Sequence, residues 1–211
     1  MQLYEKYRPK TLDDFIGQPK IKKQLQAMMS RDSWDRDALW LQGPSGTGKT
    51  SLAWIVANTV ANEFDIDELD GDKCNVEAVR ELERSLNLTS LFGDWKVVIV
   101  NEAHAMSHKA VQAWLTLLER LPTNRLVIFT TTESIQADLF GNFSSPFTSR
   151  CKVFTFTNQG LAQDMATRAK TIAQSEGLDG QPDSKYLRLV QDCKSNMRLV
   201  LQRIDACEML A

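Results

Sequence analysis

The octapeptide GPSGTGKT at residues 43–50 has the residue types and the spacing of a phosphate-binding loop. It follows the apolar segment ALWLQ and precedes a predicted helix, which is the context that this motif requires. Glycines let backbone N–H groups turn toward phosphate oxygens, and the helix N-terminus adds positive potential. We therefore expect Lys49 to reach the β and γ phosphates of a nucleotide and the Thr50 hydroxyl to ligate Mg²⁺. An ordinary glycine-rich turn is the alternative interpretation.

A second segment, VVIVNE at residues 97–102, carries four apolar β-formers into two polar side chains. A nucleotide hydrolase needs an acid near the metal and a group that orients water, and Asn101 stands where the acid is expected. Its amide oxygen accepts a hydrogen bond from metal-bound water but carries no charge. That loss costs about 1.5 to 3 kcal/mol, or about ten- to a hundredfold in metal affinity. Glu102 is predicted to polarise the attacking water; alternatively, both residues merely cap a strand end.

These two segments need a scaffold that brings them together, and the sequence predicts a parallel sheet for this role. Short apolar runs alternate with longer amphipathic ones, a pattern typical of βαβ units with helices on both faces of the sheet. Strands are predicted at residues 38–42, 66–69, 96–101, 125–131 and 152–156. Helices are predicted at residues 19–29, 49–62, 75–85 and 107–119. The expected fold is an α/β protein with a five-stranded parallel sheet.

After Phe156 the pattern changes and favours helices alone, at about residues 158–177, 182–193 and 196–210. Gly177 and the Gly-Gln-Pro tripeptide at residues 180–182 punctuate these segments, and Asn196 is a candidate N-cap. The sequence therefore predicts two domains, an α/β domain at residues 1–157 and a small helical bundle at residues 158–211.

Composition limits the classes of function. The chain has 211 residues, 43% of them hydrophobic, and a formal net charge of -2, so DNA contacts would have to come from local groups. The four cysteines show no CxxC spacing, which predicts reduced thiols and no zinc site. No apolar run is long enough to span a membrane, and the N-terminus is too charged for a signal peptide. We expect a soluble, cytoplasmic protein without a membrane partner.

Together these segments resemble the clamp-loader branch of the AAA+ P-loop ATPases, specifically replication factor C small subunits and the bacterial gamma/tau subunit. YEKYRPKTLDDFIGQ is similar to the N-terminal signature of that family, GPSGTGKT to its Walker A motif and VVIVNEAH to its Walker B motif. The family usually has Asp-Glu-Ala in Walker B, so Asn101 is a departure. By this resemblance the nucleotide site comprises Tyr7, Arg8, Pro9, Ile16 and Gly17 around adenine, and Gly43, Pro44, Ser45, Gly46, Thr47, Gly48, Lys49, Thr50 and Ser51 around the phosphates.

Three further motifs carry the resemblance. VIFTTTES resembles the sensor 1 strand, which implies that Thr132 lies near the γ-phosphate. FTSRC is similar to the Ser-Arg-Cys motif, which implies that Arg150 is an arginine finger acting on the ATP of a neighbouring subunit. SNMRLVLQ looks like sensor 2, with Arg198 on a lid helix contacting nucleotide, although Ser195 replaces the usual glycine. From the residues alone, a surface salt bridge for Arg150 and a solvated position for Arg198 remain alternatives.

The resemblance implies a clamp-loader ATPase that uses ATP and Mg²⁺ to load a sliding clamp onto primer–template DNA. It also implies other loader subunits in a pentameric assembly, located with the replication machinery in the cytoplasm, nucleoid or nucleus. The chain ends near the point where the collar domain of the family would begin, so we expect no collar. Arg80, Arg84 and Lys109 are candidate DNA contacts, or simply solvated cations. The alternatives are a nucleotide-binding scaffold subunit weakened at Asn101 and another AAA+ DNA-processing motor.

Overall fold

The computed structural model describes residues 1–30, 34–90, 92–132 and 144–210. Within these ranges the strands are β1 (Arg36–Gln42), β2 (Ile66–Asp70), β3 (Lys96–Asn101), β4 (Arg125–Thr131) and β5 (Lys152–Thr155). The helices are α1 (Leu3–Lys6), α2 (Pro19–Ser30), α3 (Lys49–Val60), α4 (Val76–Asn87), α5 (His108–Glu119), α6 (Ser144–Arg150), α7 (Ala162–Ser175), α8 (Asp183–Asp192) and α9 (Met197–Asp205). Strands and helices alternate as far as β5, and helices follow it.

The sheet places the ends of its central strands side by side. In the described part of the chain, five parallel strands pair in the order β2-β3-β4-β1-β5. The register pairs Gln42 with Thr131 and Asp70 with Asn101. Because the carboxyl ends of parallel strands lie at one edge of a sheet, the segments that follow β1, β3 and β4 meet there. The predicted α/β class with a five-stranded parallel sheet is confirmed.

As far as β5, element boundaries differ from the predicted ones by at most two residues, and capping explains several of the differences. In the lid, α7 begins four residues later and α9 ends five residues earlier than predicted. Asn75 and Ser107 were predicted to begin helices but are N-caps, whose side chains each accept a backbone N–H three residues later. α3 ends two residues early because Asn62 instead caps the following 3-10 turn, Glu63–Asp65. Asn196 caps α9, accepting the Leu199 N–H at 3.2 Å.

Helices cover both faces of the sheet, and each face has its own buried core. On β1, Trp40 faces the core beneath α4, α5 and α6, whereas Leu39 and Leu41 face the core beneath α2 and α3. The ring centroid of Phe129 on β4 lies 5.6 Å from that of Trp40 and 5.1 Å from that of Trp114 on α5. This aromatic packing holds α5, and the turn that precedes it, in a fixed position above the end of β3.

Helices α7, α8 and α9, here called the lid, share a third core. Leu3 of α1 is buried in this core, and Tyr7 packs against it, so the N-terminal segment packs on the lid. An ion pair of 2.7 Å between Lys6 Nζ and Glu176 Oε1 supports the same contact. The predicted domain boundary at residue 157 stays a prediction. Among the described residues, no helix has both the length and the apolar character needed to cross a membrane.

Candidate nucleotide site

The loop at residues 43–50 connects β1 to α3, and all three of its glycines have a backbone conformation that other residues rarely adopt. The φ angle is 141° at Gly43, 76° at Gly46 and 91° at Gly48. A Cβ atom on Gly46 would lie 2.0 Å from Oδ1 of Asn196, the residue that caps lid helix α9. The loop is therefore curled as a phosphate-binding loop requires, and it lies directly against the lid.

Lys49, the first residue of α3, is buried beneath this loop. Its Nζ donates hydrogen bonds to the carbonyl oxygens of Gly43 at 2.8 Å and Pro44 at 2.9 Å. Burial lowers the pKa of Lys49 to about 8; the carboxylate of Glu102 opposes this shift and the charge of Arg198 adds to it. The ammonium group is therefore poorly hydrated and lies near the positive charge of Arg198. An anion that binds beside it would stabilise its charge.

Asn101, at the end of β3, lies beside Thr50. Its Oδ1 accepts hydrogen bonds from Oγ1 of Thr50 at 3.2 Å and from Oγ1 of Thr130 at 3.0 Å, and its Nδ2 donates to Oε1 of Glu68 at 2.6 Å. The structure therefore brings the two predicted metal ligands, Thr50 and Asn101, together. A hydroxyl and an amide oxygen fit Mg²⁺, which takes oxygen ligands and completes its shell with waters and phosphates. The described residues hold no cluster of three or more His, Cys, Asp or Glu that would bind a metal alone.

Glu102 follows in a left-handed conformation, with a φ of 48°. This strained backbone turns its side chain away from the strand direction. Its carboxylate accepts a hydrogen bond from Oγ1 of Thr132 at 3.3 Å and lies 3.4 Å from Nδ1 of His104. The adjacent ends of β3 and β4 thus bring the predicted water-activating residue, Glu102, into contact with the predicted sensor, Thr132.

A cavity of about 600 Å³ opens between the N-terminal segment, the phosphate-binding loop and the lid. Most of the predicted nucleotide-binding residues line it: Tyr7, Arg8, Pro9, Ile16, Ser45, Gly46, Thr47, Gly48, Lys49, Thr50, Ser51 and Arg198, together with Glu102. Gly43 and Pro44 lie behind the loop as carbonyl acceptors for Lys49. Gly17 packs toward Leu161 of the lid, where a Cβ atom would lie 2.5 Å from Cδ2. One cavity thus gathers residues that are far apart in the sequence.

The sequence analysis missed several residues of the lining, most of them on the lid. They are Tyr4, Glu5, Asp14, Phe15, Met165, Arg168, Ile172, Met197 and Leu201. On α7, Met165, Arg168 and Ile172 have the spacing i, i+3, i+7 of a single helix face. That spacing was visible in the sequence, but it does not say whether a helix face packs in a core or lines a cavity.

Basic side chains outnumber acidic ones in the lining of the cavity, which carries Arg8, Lys49, Arg168 and Arg198 as well as Glu5, Asp14 and Glu102. Arg198 lies with its guanidinium carbon 5.5 Å from the centroid of the Tyr4 ring. Partial dehydration lowers the pKa of Arg8, the carboxylate of Glu68 opposes this shift, and the charge of Arg198 adds to it. Arg168 contributes a further positive charge to the lining. Because these cations repel one another, a polyanion that binds among them would be stabilised.

Arg150 lies at the end of α6 and does not line this cavity. Its guanidinium donates to the carbonyl oxygen of Pro146 at 3.0 Å and forms a short hydrogen bond to the carboxylate of Glu119 on α5. The hydrogen bond from Arg150 lowers the pKa of Glu119. A surface salt bridge, the alternative drawn from the sequence, is therefore what this chain by itself forms.

The three candidate DNA-contacting residues also lie outside the cavity. Arg80 and Arg84 on α4 and Lys109 on α5 are all exposed. The two helices that carry them pack against each other. Both helices begin with a side-chain cap, at Asn75 and Ser107.

Comparison with known proteins identifies the family to which this chain belongs. The family described as Holliday junction DNA helicase RuvB P-loop domain matches residues 7–134. The replication factor C small subunit of Halobacterium salinarum is 30% identical over 207 residues, covering 96% of this chain and 61% of that protein. Small subunit 1 of Pyrobaculum islandicum is 30% identical over 187 residues, covering 86% and 54%. The Thermotoga maritima RuvB Holliday junction branch migration motor is similar with a TM-score of 0.71 and 21% identity, covering 94% of this chain and 64% of that chain.

These similarities agree with the geometry. The likeness to the branch migration motor shows a shared fold, and the resemblance to replication factor C small subunits predicted from the motifs is confirmed. The chain spans 61% of the length of the Halobacterium relative. Since the RuvB P-loop domain matches more than half of its residues, the chain belongs to that family of P-loop AAA+ ATPases.

Proposed function

We propose that this chain is the ATP-binding and ATP-hydrolysing part of a clamp-loader subunit, which helps to load a sliding clamp onto primer–template DNA. The observation that carries the proposal is the cavity lined by Lys49, Thr50 and Glu102, with Asn101 hydrogen-bonded to the Thr50 hydroxyl. Similarity to a replication factor C small subunit along 96% of the chain supports the choice of clamp loading among AAA+ functions.

In this proposal the phosphates of ATP bind at the curled loop, and Lys49 leaves its two carbonyl acceptors for phosphate oxygens. Thr50 and Asn101 would hold Mg²⁺ through their oxygen atoms. Held there, Mg²⁺ would supply positive charge to the phosphates. Arg8 and Arg198 extend the positive charge along the cavity, and the N-terminal segment around Tyr7 holds the adenine.

Glu102 orients the attacking water and accepts its proton. Its carboxylate stays about half exposed, and the Thr132 hydroxyl donates to it at 3.3 Å. The same hydroxyl would contact the γ-phosphate when nucleotide is bound. Because both groups are held at the ends of adjacent strands, their geometry is set by the sheet rather than by a loop.

Arg150 is proposed to act on the ATP of a neighbouring subunit. Its position outside the cavity of its own chain supports this assignment. To reach a neighbouring γ-phosphate, the guanidinium would exchange the carboxylate of Glu119 for a phosphate oxygen. Hydrolysis by the isolated chain should therefore be slow, because an arginine finger contributes about 10³- to 10⁵-fold to turnover.

Arg80, Arg84 and Lys109 are proposed to contact DNA phosphates. The net charge of the chain is -2, so binding depends on such local groups. A few contacts in each subunit suffice when several subunits hold one duplex, since linked weak contacts multiply in effective affinity. Other loader subunits and the sliding clamp complete the proposed set of partners.

The test measures ATP binding and hydrolysis by this chain assembled with loader subunits, clamp and primed DNA. Lys49→Ala should abolish ATP binding by this chain. Substitution of Glu102 by Gln should preserve binding and remove its turnover. A second candidate function is a nucleotide-holding scaffold subunit, which the uncharged Asn101 favours. A scaffold would bind ATP without any DNA-stimulated turnover of its own while still offering Arg150 to its neighbour.

A further inference from the structure

Position 101 carries an amide instead of a carboxylate, but a carboxylate on the neighbouring strand, that of Glu68, accepts a hydrogen bond from this amide. Oε1 of Glu68, on edge strand β2, accepts a hydrogen bond from Nδ2 of Asn101 at 2.6 Å and another from Nε1 of Trp54 at 3.0 Å. In the strand register Glu68 pairs with Ile99, two residues before Asn101. Residues two apart on a strand share a face, so Glu68 and Asn101 are diagonal neighbours within reach of a long side chain.

This hydrogen bond fixes the direction of the Asn101 amide. The amide has one accepting and one donating end, and Glu68, as an ionised carboxylate, accepts only from the donating end. The oxygen end is thereby directed toward the hydroxyls of Thr50 at 3.2 Å and Thr130 at 3.0 Å. A flipped amide would present its NH₂ group to the proposed cation site, where its positive hydrogens repel the metal.

Glu68 also supplies negative charge to the site. Its carboxylate acts on Arg8, a residue of the cavity lining, by raising the pKa of that guanidinium. An aspartate at position 101 would place two carboxylates at about the present separation of 2.6 Å between Nδ2 and Oε1. Two ionised groups at such a distance repel each other strongly. Asparagine at position 101, which carries no charge, therefore avoids this repulsion with the glutamate at position 68.

We propose that Glu68 is a positioning residue for the metal site: it orients the Asn101 oxygen toward Thr50 and supplies the charge that this Walker B position lacks. The proposal rests on the proposed ATPase function and deepens it. In this view Glu68 and Asn101 are one carboxylate–amide pair in which the carboxylate stands on β2 instead of β3. Exchanging the two groups between the strands should then preserve the pair.

The experiment compares Glu68→Gln, Asn101→Asp and the exchange double variant in the full chain. Thermal unfolding at pH 7.5 without nucleotide or Mg²⁺ gives one readout, and the Mg²⁺ dependence of binding of a fluorescent ATP analogue gives the other. The matched control is Asp67→Asn, which removes an exposed carboxylate from the same strand whose partner is the Ser85 hydroxyl.

Asn101→Asp alone should lower the midpoint of unfolding, and adding Glu68→Gln should restore it. Glu68→Gln alone should weaken the apparent Mg²⁺ affinity about tenfold, the effect of losing one charge-assisted hydrogen bond. The double variant should bind Mg²⁺ at least as tightly as the unmodified chain, and Asp67→Asn should leave Mg²⁺ binding unchanged.

Strictly additive effects of the two substitutions on unfolding would overturn the proposal, because a pair in contact must show coupling. Equal Mg²⁺ affinities for Glu68→Gln and Asp67→Asn would overturn it as well. The unfolding measurement needs no nucleotide, so its outcome is separate from that of the proposed function. If the unmodified chain bound no ATP, the proposed function would fail while the coupling remained measurable.

Discussion

Binding of ATP should draw a proton onto Lys49. Burial holds the pKa of this ammonium group at about 8, whereas the negative charge of a triphosphate beside it would raise that pKa. For a pKa of about 8, the protonated fraction of free Lys49 falls from about 90% at pH 7 to about 50% at pH 8 and about 10% at pH 9. Since only the protonated form pairs with phosphate, ATP affinity should fall about tenfold between pH 7 and pH 9.

Isothermal titration calorimetry with ATP at pH 8, repeated in buffers of different ionisation enthalpy, measures the proton uptake directly. The slope of observed enthalpy against buffer enthalpy should correspond to about 0.5 proton taken up per ATP bound. Lys49→Arg is the matched control, because a guanidinium keeps its charge at pH 8 and should abolish the uptake. An unmodified chain that takes up no proton, or that shows the same uptake as Lys49→Arg, would refute this account of the buried lysine.

Three further predictions concern the loop, the core and the proposed interface. Gly46→Ala should weaken ATP binding and lower the unfolding midpoint, because its Cβ would lie 2.0 Å from Oδ1 of Asn196 at a positive φ; calorimetry and a thermal melt check both effects. Trp114→Ala should cost about 3 to 5 kcal/mol in the free energy of unfolding, since the side chain is fully buried against Phe129, and urea titration measures this loss. Arg150→Ala should leave ATP binding to its own chain unchanged and reduce turnover at the neighbouring subunit's site about 10³-fold or more, as measured by phosphate release.

The strands and their parallel arrangement were predictable because local patterns determine them. β1, β3, β4 and β5 contain short apolar runs, and β3 and β4 are buried along nearly their whole length, whereas three of the five residues of β2 are acidic. Helix ends were less predictable, because asparagine is a favoured N-cap but the sequence alone does not show which backbone N–H its side chain will accept. Asn62, for example, caps the 3-10 turn that follows α3 instead of extending that helix.

The phosphate-binding loop and the pair Asn101–Glu102 were found because each is a continuous motif with a defined context. On the lid side of the cavity only Arg198 was predicted, because Arg168 and Met165 become site residues only when α7 packs against the N-terminal segment. Glu68 was missed for a related reason. Its contact with Asn101 depends on β2 lying next to β3, and strand order is set by the tertiary fold rather than by local sequence.

The central claim is that this chain hydrolyses ATP as part of a clamp loader. The most direct test measures phosphate release by the assembled complex, with and without clamp and primed DNA, comparing the unmodified chain with Glu102→Gln in this chain only. We predict that clamp and primed DNA together stimulate turnover and that Glu102→Gln removes the share due to this chain. Stimulated turnover that is the same with and without Glu102, or no response to clamp and primed DNA, would contradict the account.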